Sequence, residues 1–111
     1  MIVGQSQLTN LVGVAAGRNN SMGFKPDGSI VAWGENNWGM LNVSFPNAGF
    51  VAVAPAESHT LFLRSDGSIT ALGRNLENQC NVPAPNSSYV AVAAGQSHSL
   101  GVKADGSVVA W

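Results

Sequence analysis

The stretch Val90-Ala91-Val92-Ala93-Ala94-Gly95-Gln96-Ser97-His98-Ser99-Leu100-Gly101-Val102-Lys103-Ala104-Asp105-Gly106-Ser107-Val108-Val109-Ala110-Trp111 decides the fold. Its first run, Val90 to Ala94, sets β-branched residues at alternate positions and stops at Gly95, the pattern of a half-buried strand. A second run, His98 to Lys103, alternates apolar with small or polar residues. Ala104-Asp105-Gly106 then turns the chain back into a third run, Ser107 to Trp111. An Asp-Gly pair supplies the positive backbone angles of a tight hairpin, because glycine has no Cβ to clash there. Three short antiparallel strands follow from 22 residues.

Working outward, the Asp-Gly-Ser triplet recurs at Asp27-Gly28-Ser29, Asp66-Gly67-Ser68 and Asp105-Gly106-Ser107, at intervals of 39 residues without an insertion. In that register 14 of 39 positions are identical between 12–50 and 51–89, and 11 of 22 between 51–72 and 90–111. The 111 residues form one domain, 1–111: a tail 1–11, whole repeats 12–50 and 51–89, and a head 90–111. Pro26 presets the first turn. After Gly34 and Gly73 comes a polar loop. Asn81-Val82-Pro83 then opens a fourth, edge-like segment, where a proline without a donor is tolerated. Short antiparallel strands in a repeat of about 40 residues are what a β-propeller blade needs. The expected class is therefore all-β, with propeller blades forming an incomplete ring in a single chain. A β-solenoid is the alternative, and the density of glycine and β-branched residues excludes helical repeats.

Charged residues make up only 10 %, net charge is −1 and the pI is near 6.0. The five basic residues, Arg18, Lys25, Arg64, Arg74 and Lys103, are scattered, so no nucleic-acid footprint is visible. A single cysteine, Cys80, excludes an internal disulfide and a cysteine metal site, and it reads as a small, partly buried filler. Residues 1–11 lack the basic start and apolar stretch of a secretory signal, and no run reaches the ~18 apolar residues of a membrane span. The expectation is a soluble chain, away from membranes and nucleic acid, with no cofactor and no metal. Its compartment stays open.

The run from Val90 to Trp111 resembles the regulator of chromosome condensation repeat in its bacterial form, and it is especially similar to the repeats of the propeller-type β-lactamase inhibitor proteins. The likeness covers nearly the whole chain apart from Met1–Asn10. It implies a propeller, usually of about seven blades, whose loop faces bind protein partners. The second repeat departs from the motif, with Leu72 in place of tryptophan and Pro55-Ala56 in place of Ala-Gly. Local irregularity is expected there.

No constellation of side chains points to an enzyme. Asp27, Asp66 and Asp105 read as turn residues together with Gly28, Gly67 and Gly106, and copies on neighbouring blades cannot form a close carboxylate pair. His59 and His98 are equivalent to Asn20, and a position where an amide replaces imidazole suits hydrogen bonding to the backbone more than base or ligand work. Ser58-His59 and Ser97-His98 are sequence neighbours whose side chains point to opposite faces of a strand. The loop Gly34–Gly39 lacks the lysine and following helix of a phosphate cradle. Trp33 and Trp111 recur in register and read as interblade packing. Asn19, Asn42 and Asn86 sit in glycosylation-like triplets of the kind an Asn- and Ser-rich chain generates by composition.

Binding residues are sought in the loop that diverges between repeats. Trp38 stands there among polar neighbours, and an exposed tryptophan suits a contact. Asn37 lies beside it, and Arg74, Leu76 and Glu77 occupy the corresponding loop of the second repeat. Divergence on a fixed scaffold is where specificity resides. The expected function is a non-enzymatic module that binds a protein partner through these loops. A carbohydrate-binding or structural coat module is the alternative. Because three blade equivalents do not close a ring, the chain is expected to be a homo-oligomer, with the 1–11 tail of one copy completing the blade begun by another and a closed dimer preferred.

Overall fold

The computed structural model describes residues 11–42 and 48–111. The tail Met1–Asn10 lies outside them. Among the described residues nine strands form three separate three-stranded antiparallel sheets, each a simple meander. Blade 1 holds β1 (Gly13–Ala16), β2 (Asn20–Phe24) and β3 (Ile30–Gly34). Blade 2 holds β4 (Phe50–Pro55), β5 (His59–Arg64) and β6 (Ile69–Gly73). Blade 3 holds β7 (Tyr89–Ala94), β8 (Ser99–Lys103) and β9 (Val108–Ala110). No helix occurs among the described residues, so none is long and apolar enough to cross a membrane. The 22-residue head thus forms a sheet with the same strand count as each whole repeat.

The blades stack face to face. Close approaches run from β4 and β5 to β7 and from β1 and β2 to β4, with nothing comparable joining β3 to β6 or β6 to β9. First strands converge and third strands spread, as radial blades require. Each blade therefore has a forward face toward the next blade and a rear face toward the one before. Met22, Ile30 and Ala32 on the forward face of blade 1 pack on Phe50 and Phe62 of the rear face of blade 2. Leu61, Leu63 and Ile69 repeat the arrangement against Tyr89, Val92 and Trp111 of blade 3. Each fully buried aliphatic side chain contributes about 1.5–3 kcal/mol, so these two seams are the core. β5 is buried on both faces because it lies between two blades, which explains why its Thr-Leu-Phe-Leu run does not alternate. Trp111 stacks at a tilt on Tyr89 of its own blade, with ring centroids 6.3 Å apart, and packs with it against the cluster of Leu61, Leu63 and Ile69 of blade 2.

The hairpin turns differ from the sequence expectation in one respect. Only the glycine takes a positive φ: +81° at Gly28, +85° at Gly67 and +89° at Gly106. Gly28 N–H donates to Lys25 O (2.9 Å) and Lys25 N–H to Ser29 O (2.9 Å), the geometry of a type I turn closed by a glycine bulge. Such a turn keeps φ negative at its first position, which is why Pro26 fits there. The aspartate serves the turn through its side chain instead. Oδ1 of Asp27, Asp66 and Asp105 accepts the backbone N–H two residues on, each at 2.9 Å.

Two further expectations are corrected. β4 pairs regularly from Ala52 to Pro55, and the irregularity falls at Val51, with a matching shift at Val90 in blade 3. Proline ends the strand facing a turn and disturbs nothing. Nor does Asn81-Val82-Pro83 form a fourth strand among the described residues. Pro83 and Pro85 remove donors, and a side chain takes over the pairing. Asn86 Oδ1 accepts Ile69 N–H and its Nδ2 donates to Ile69 O, both at 2.8 Å. One amide thus imitates a strand partner at the start of β6, and Lys103 Nζ ties down Pro85 O (2.8 Å) and Ser87 O (3.0 Å).

Candidate functional site

Because β1 and β3 run in the same sense, the β1–β2 connection and the loop after β3 emerge at one end of every blade, and the Asp-Gly turns emerge at the other. The first end carries the candidate binding residues. Its loops have no strands, yet they are fixed by a device that occurs twice. Asn36 Oδ1 accepts Leu41 N–H (2.8 Å) and its Nδ2 donates to Asn42 Oδ1 (3.0 Å). Asn75 does the same with Cys80 N–H (2.8 Å) and Asn81 Oδ1 (2.8 Å). Each asparagine clips a six-residue loop across its base, and Met40 and Leu41 anchor the first loop in the core. The Asn36/Asn75 and Asn42/Asn81 matches were visible in the repeat alignment, but the bond between them was not.

On this base Trp38 is half exposed (51 %) and Leu76 more so (71 %). The Arg74 guanidinium of blade 2 reaches over the Trp38 ring of blade 1, 5.9 Å from its centroid, and pairs with Glu77 at 2.8 Å. Three of the five candidates therefore meet across the blade seam. Asn37 turns the other way, donating to Glu35 Oε1 (2.6 Å), while Asn19 donates to Glu35 Oε2 (2.8 Å). Leu76 projects from the second loop without joining either group. Glu77 is held further by Gln79, whose Oε1 accepts its N–H at 2.9 Å. The sequence reading missed Glu35 as the hub of two amides, and also the Arg18–Glu57 ion pair that joins equivalent positions of blades 1 and 2 on this face. A one-repeat spacing between opposite charges was the available signal.

The other chemistry-bearing groups lie elsewhere. His59 is fully buried, and its Nε2 lies 3.0 Å from Ser99 Oγ of blade 3. Ser99 Oγ donates to Gln79 O (2.7 Å), so His59 supplies the Nε2–H as a neutral ring. Burial holds its pKa below the ordinary imidazole value, with the His98 backbone opposing in part. The imidazole is a strut between blades that bonds a side-chain hydroxyl, beyond the backbone contact the sequence suggested. Asn20 at the same position in blade 1 makes no such bond. Burial likewise raises the Cys80 thiol, which donates to Arg74 O (3.3 Å) as a part-buried filler. Hydrogen bonds from Ser29, Ser68 and Ser107 hold the turn aspartates below the usual carboxylate range, and their side chains stay at the far end of the blades. A groove of about 390 Å³ between β1 and β4 is lined by Val12, Val14, Phe24, Lys25, Phe50 and Val51, away from Trp38. No group of three metal-ligating side chains is gathered among the described residues.

Comparison with known proteins places this geometry. Residues 89–111 match the family model of the regulator of chromosome condensation (RCC1) repeat. Among solved structures, Prp20p of Saccharomyces cerevisiae, described for its binding to Gsp1p and histones, superposes with a TM-score of 0.79 at 22 % identity, over 92 % of this chain and 33 % of that one. The ectodomain of the receptor kinase CR4 of Physcomitrella patens gives 0.77 at 21 % identity, over 91 % and 29 %. Human WBSCR16 gives 0.76 at 16 % identity, over 91 % and 32 %. The chain spans about a third of the length of these proteins. A search of curated protein sequences finds no match. The residues that match the family model are the third copy of a 39-residue period whose other two copies share their strand order and turns, and so the chain has the fold of three consecutive β-propeller blades, of which the third is similar to the regulator of chromosome condensation repeat.

Proposed function

We propose that the chain is a non-catalytic interaction module that presents the loops after β3 and β6 to a protein partner and assembles with further copies to complete a ring of blades. The observation that carries the reading is Trp38, half exposed on a clipped loop with Arg74 poised over its ring. Tryptophan and arginine are the residue types that dominate binding energy at protein interfaces. Holding them in place before contact removes part of the ordering cost of association. The structurally similar yeast protein Prp20p, which binds Gsp1p, histones and Kap60, supports a protein as the class of partner. A second reading, carbohydrate binding, draws on the same half-exposed ring in a loop rich in asparagine.

Trp38→Ala tests the module. Its melting temperature is expected to stay within about 2 °C of wild type, because an exposed substitution away from the core shifts stability by no more than ~0.5 kcal/mol. Affinity for a partner identified by pull-down and mass spectrometry is expected to fall about tenfold or more. Binding that survives unchanged would refute the assignment of the site. Binding to a glycan array that disappears in the same variant would favour the second reading.

A further inference from the structure

Blade 3 offers a forward face that nothing covers among the described residues, and blade 1 offers such a rear face. We propose that the forward face of blade 3 docks on the rear face of blade 1 of a second copy of this chain, by the same contacts that join blade 2 to blade 3. The inference rests on the reading that the chain assembles with further copies, and it names the surfaces that do so.

Two seams join the described blades, and the proposed junction repeats the second of them. At the seam between blades 2 and 3 the forward residues are His59, Leu61, Leu63, Ile69 and Ala71. One repeat on, blade 3 carries His98, Leu100, Val102, Val108 and Ala110. The changes are Leu to Val and Ile to Val, a methylene each, with histidine, leucine and alanine kept. Burial follows the neighbour and not the residue. Ile30 and Ile69 are 4 % and 3 % exposed beneath the next blade, whereas Val108 at the same position is 64 % exposed.

The rear faces decide which blade fits. Blade 3 receives blade 2 with Tyr89, Val92, Gly101, Val109 and Trp111. Blade 1 carries Leu11, Val14, Gly23, Val31 and Trp33 at these positions, alike at four of the five. Blade 2, with Phe50, Val53, Phe62, Thr70 and Leu72, shares only the valine. The glycine is the informative match. A Cβ on Gly101 would lie 2.6 Å from the Tyr89 ring and 3.4 Å from Ile69, so the missing side chain makes the hollow in which the two blades meet. Gly23 makes the same hollow in blade 1, where a Cβ would lie 2.7 Å from Leu11. The polar strut carries over as well. Ser99, the partner of His59, corresponds to Ser21, so a second copy offers His98 the hydroxyl that His59 already uses. At present the His98 ring lies over Gly95, where a Cβ would come within 2.1 Å of it.

Such a contact joins two different faces, so it runs head to tail and closes into a ring where the angle between blades allows. Val108→Arg blocks the forward face and Val14→Arg the rear face. Both residues are exposed, at 64 % and 77 %, and circular dichroism is expected to show both variants folded. Native mass spectrometry of the 111-residue chain at about 10 µM is expected to give a dimer or larger assembly, and each variant alone a monomer. An equimolar mixture of the two is expected to recover a 1:1 heterodimer, because one intact junction remains. Nonspecific apolar association would not show that rescue. A monomeric wild type, single variants that assemble like wild type, or a mixture that stays monomeric would each overturn the proposal. Both substitutions leave Trp38 and Arg74 untouched, so its failure and a failure of the loop-face reading are read separately.

Discussion

Gly67 and Gly106 occupy the same turn position with nearly the same backbone, φ +85° and +89°, yet they meet different surroundings. A Cβ on Gly106 would touch nothing within 4 Å, while one on Gly67 would lie 2.8 Å from Ser88 N. Gly106→Ala therefore incurs only the left-handed backbone penalty, about 1–2 kcal/mol. Gly67→Ala incurs that penalty and also pushes against the segment entering blade 3. One interblade bond lies there, Tyr89 N–H to Gly67 O (3.0 Å), and beside it a bond within blade 3, Ala104 N–H to Ser88 O (2.9 Å). Disturbing them adds about 1–2 kcal/mol at the usual net value of a backbone bond. With about 4 °C of melting temperature for each kcal/mol in a domain of this size, Gly106→Ala is expected to melt roughly 4–8 °C below wild type and Gly67→Ala roughly 8–16 °C below it. Thermal melts followed by far-ultraviolet circular dichroism compare the pair directly. Equal losses would refute the claim that these turns are seats for the next blade as well as hairpin closures. A harmless Gly106→Ala would refute the backbone argument.

Two further outcomes are expected. His59 is held neutral by burial, so the unfolded chain binds its proton more readily than the folded one, and stability rises with pH. The contribution is complete above the ordinary imidazole pKa of about 6.5 and is lost as pH falls through it toward the lower folded value. Melting temperature measured from pH 8 to pH 5 should therefore be level and then drop, with a smaller drop in His59→Gln; an unchanged drop would detach the effect from His59. The turn aspartates act in a separate window, since their lowered pKa values withdraw stability only below about pH 4. Asn86→Ala removes both bonds to the Ile69 backbone, a loss of about 1–3 kcal/mol. Hydrogen exchange at the Ile69 amide should quicken, and protection equal to wild type would show that the side chain does not replace a strand.

The sequence by itself determined the period, the three strands of each repeat and the position of every hairpin, because alternation and Asp-Gly-Ser turns are local properties of a chain whose neighbouring residues report on one another. Trp38 and Arg74 were also legible as loop residues that break the repeat. Their meeting was not, because the contact crosses from one blade to the next and depends on how two sheets stack. Tertiary structure likewise decided that Asn86 stands in for a fourth strand, since prolines count against pairing but do not say what replaces it. It also made His59 a strut to Ser99, 40 residues away. Above all it decided which valines are core and which are surface. Val14, Val53 and Val92 are one letter at one register position, but Val14 alone is 77 % exposed, because burial in a stack of blades belongs to the neighbour that covers a face and not to the residue that lines it.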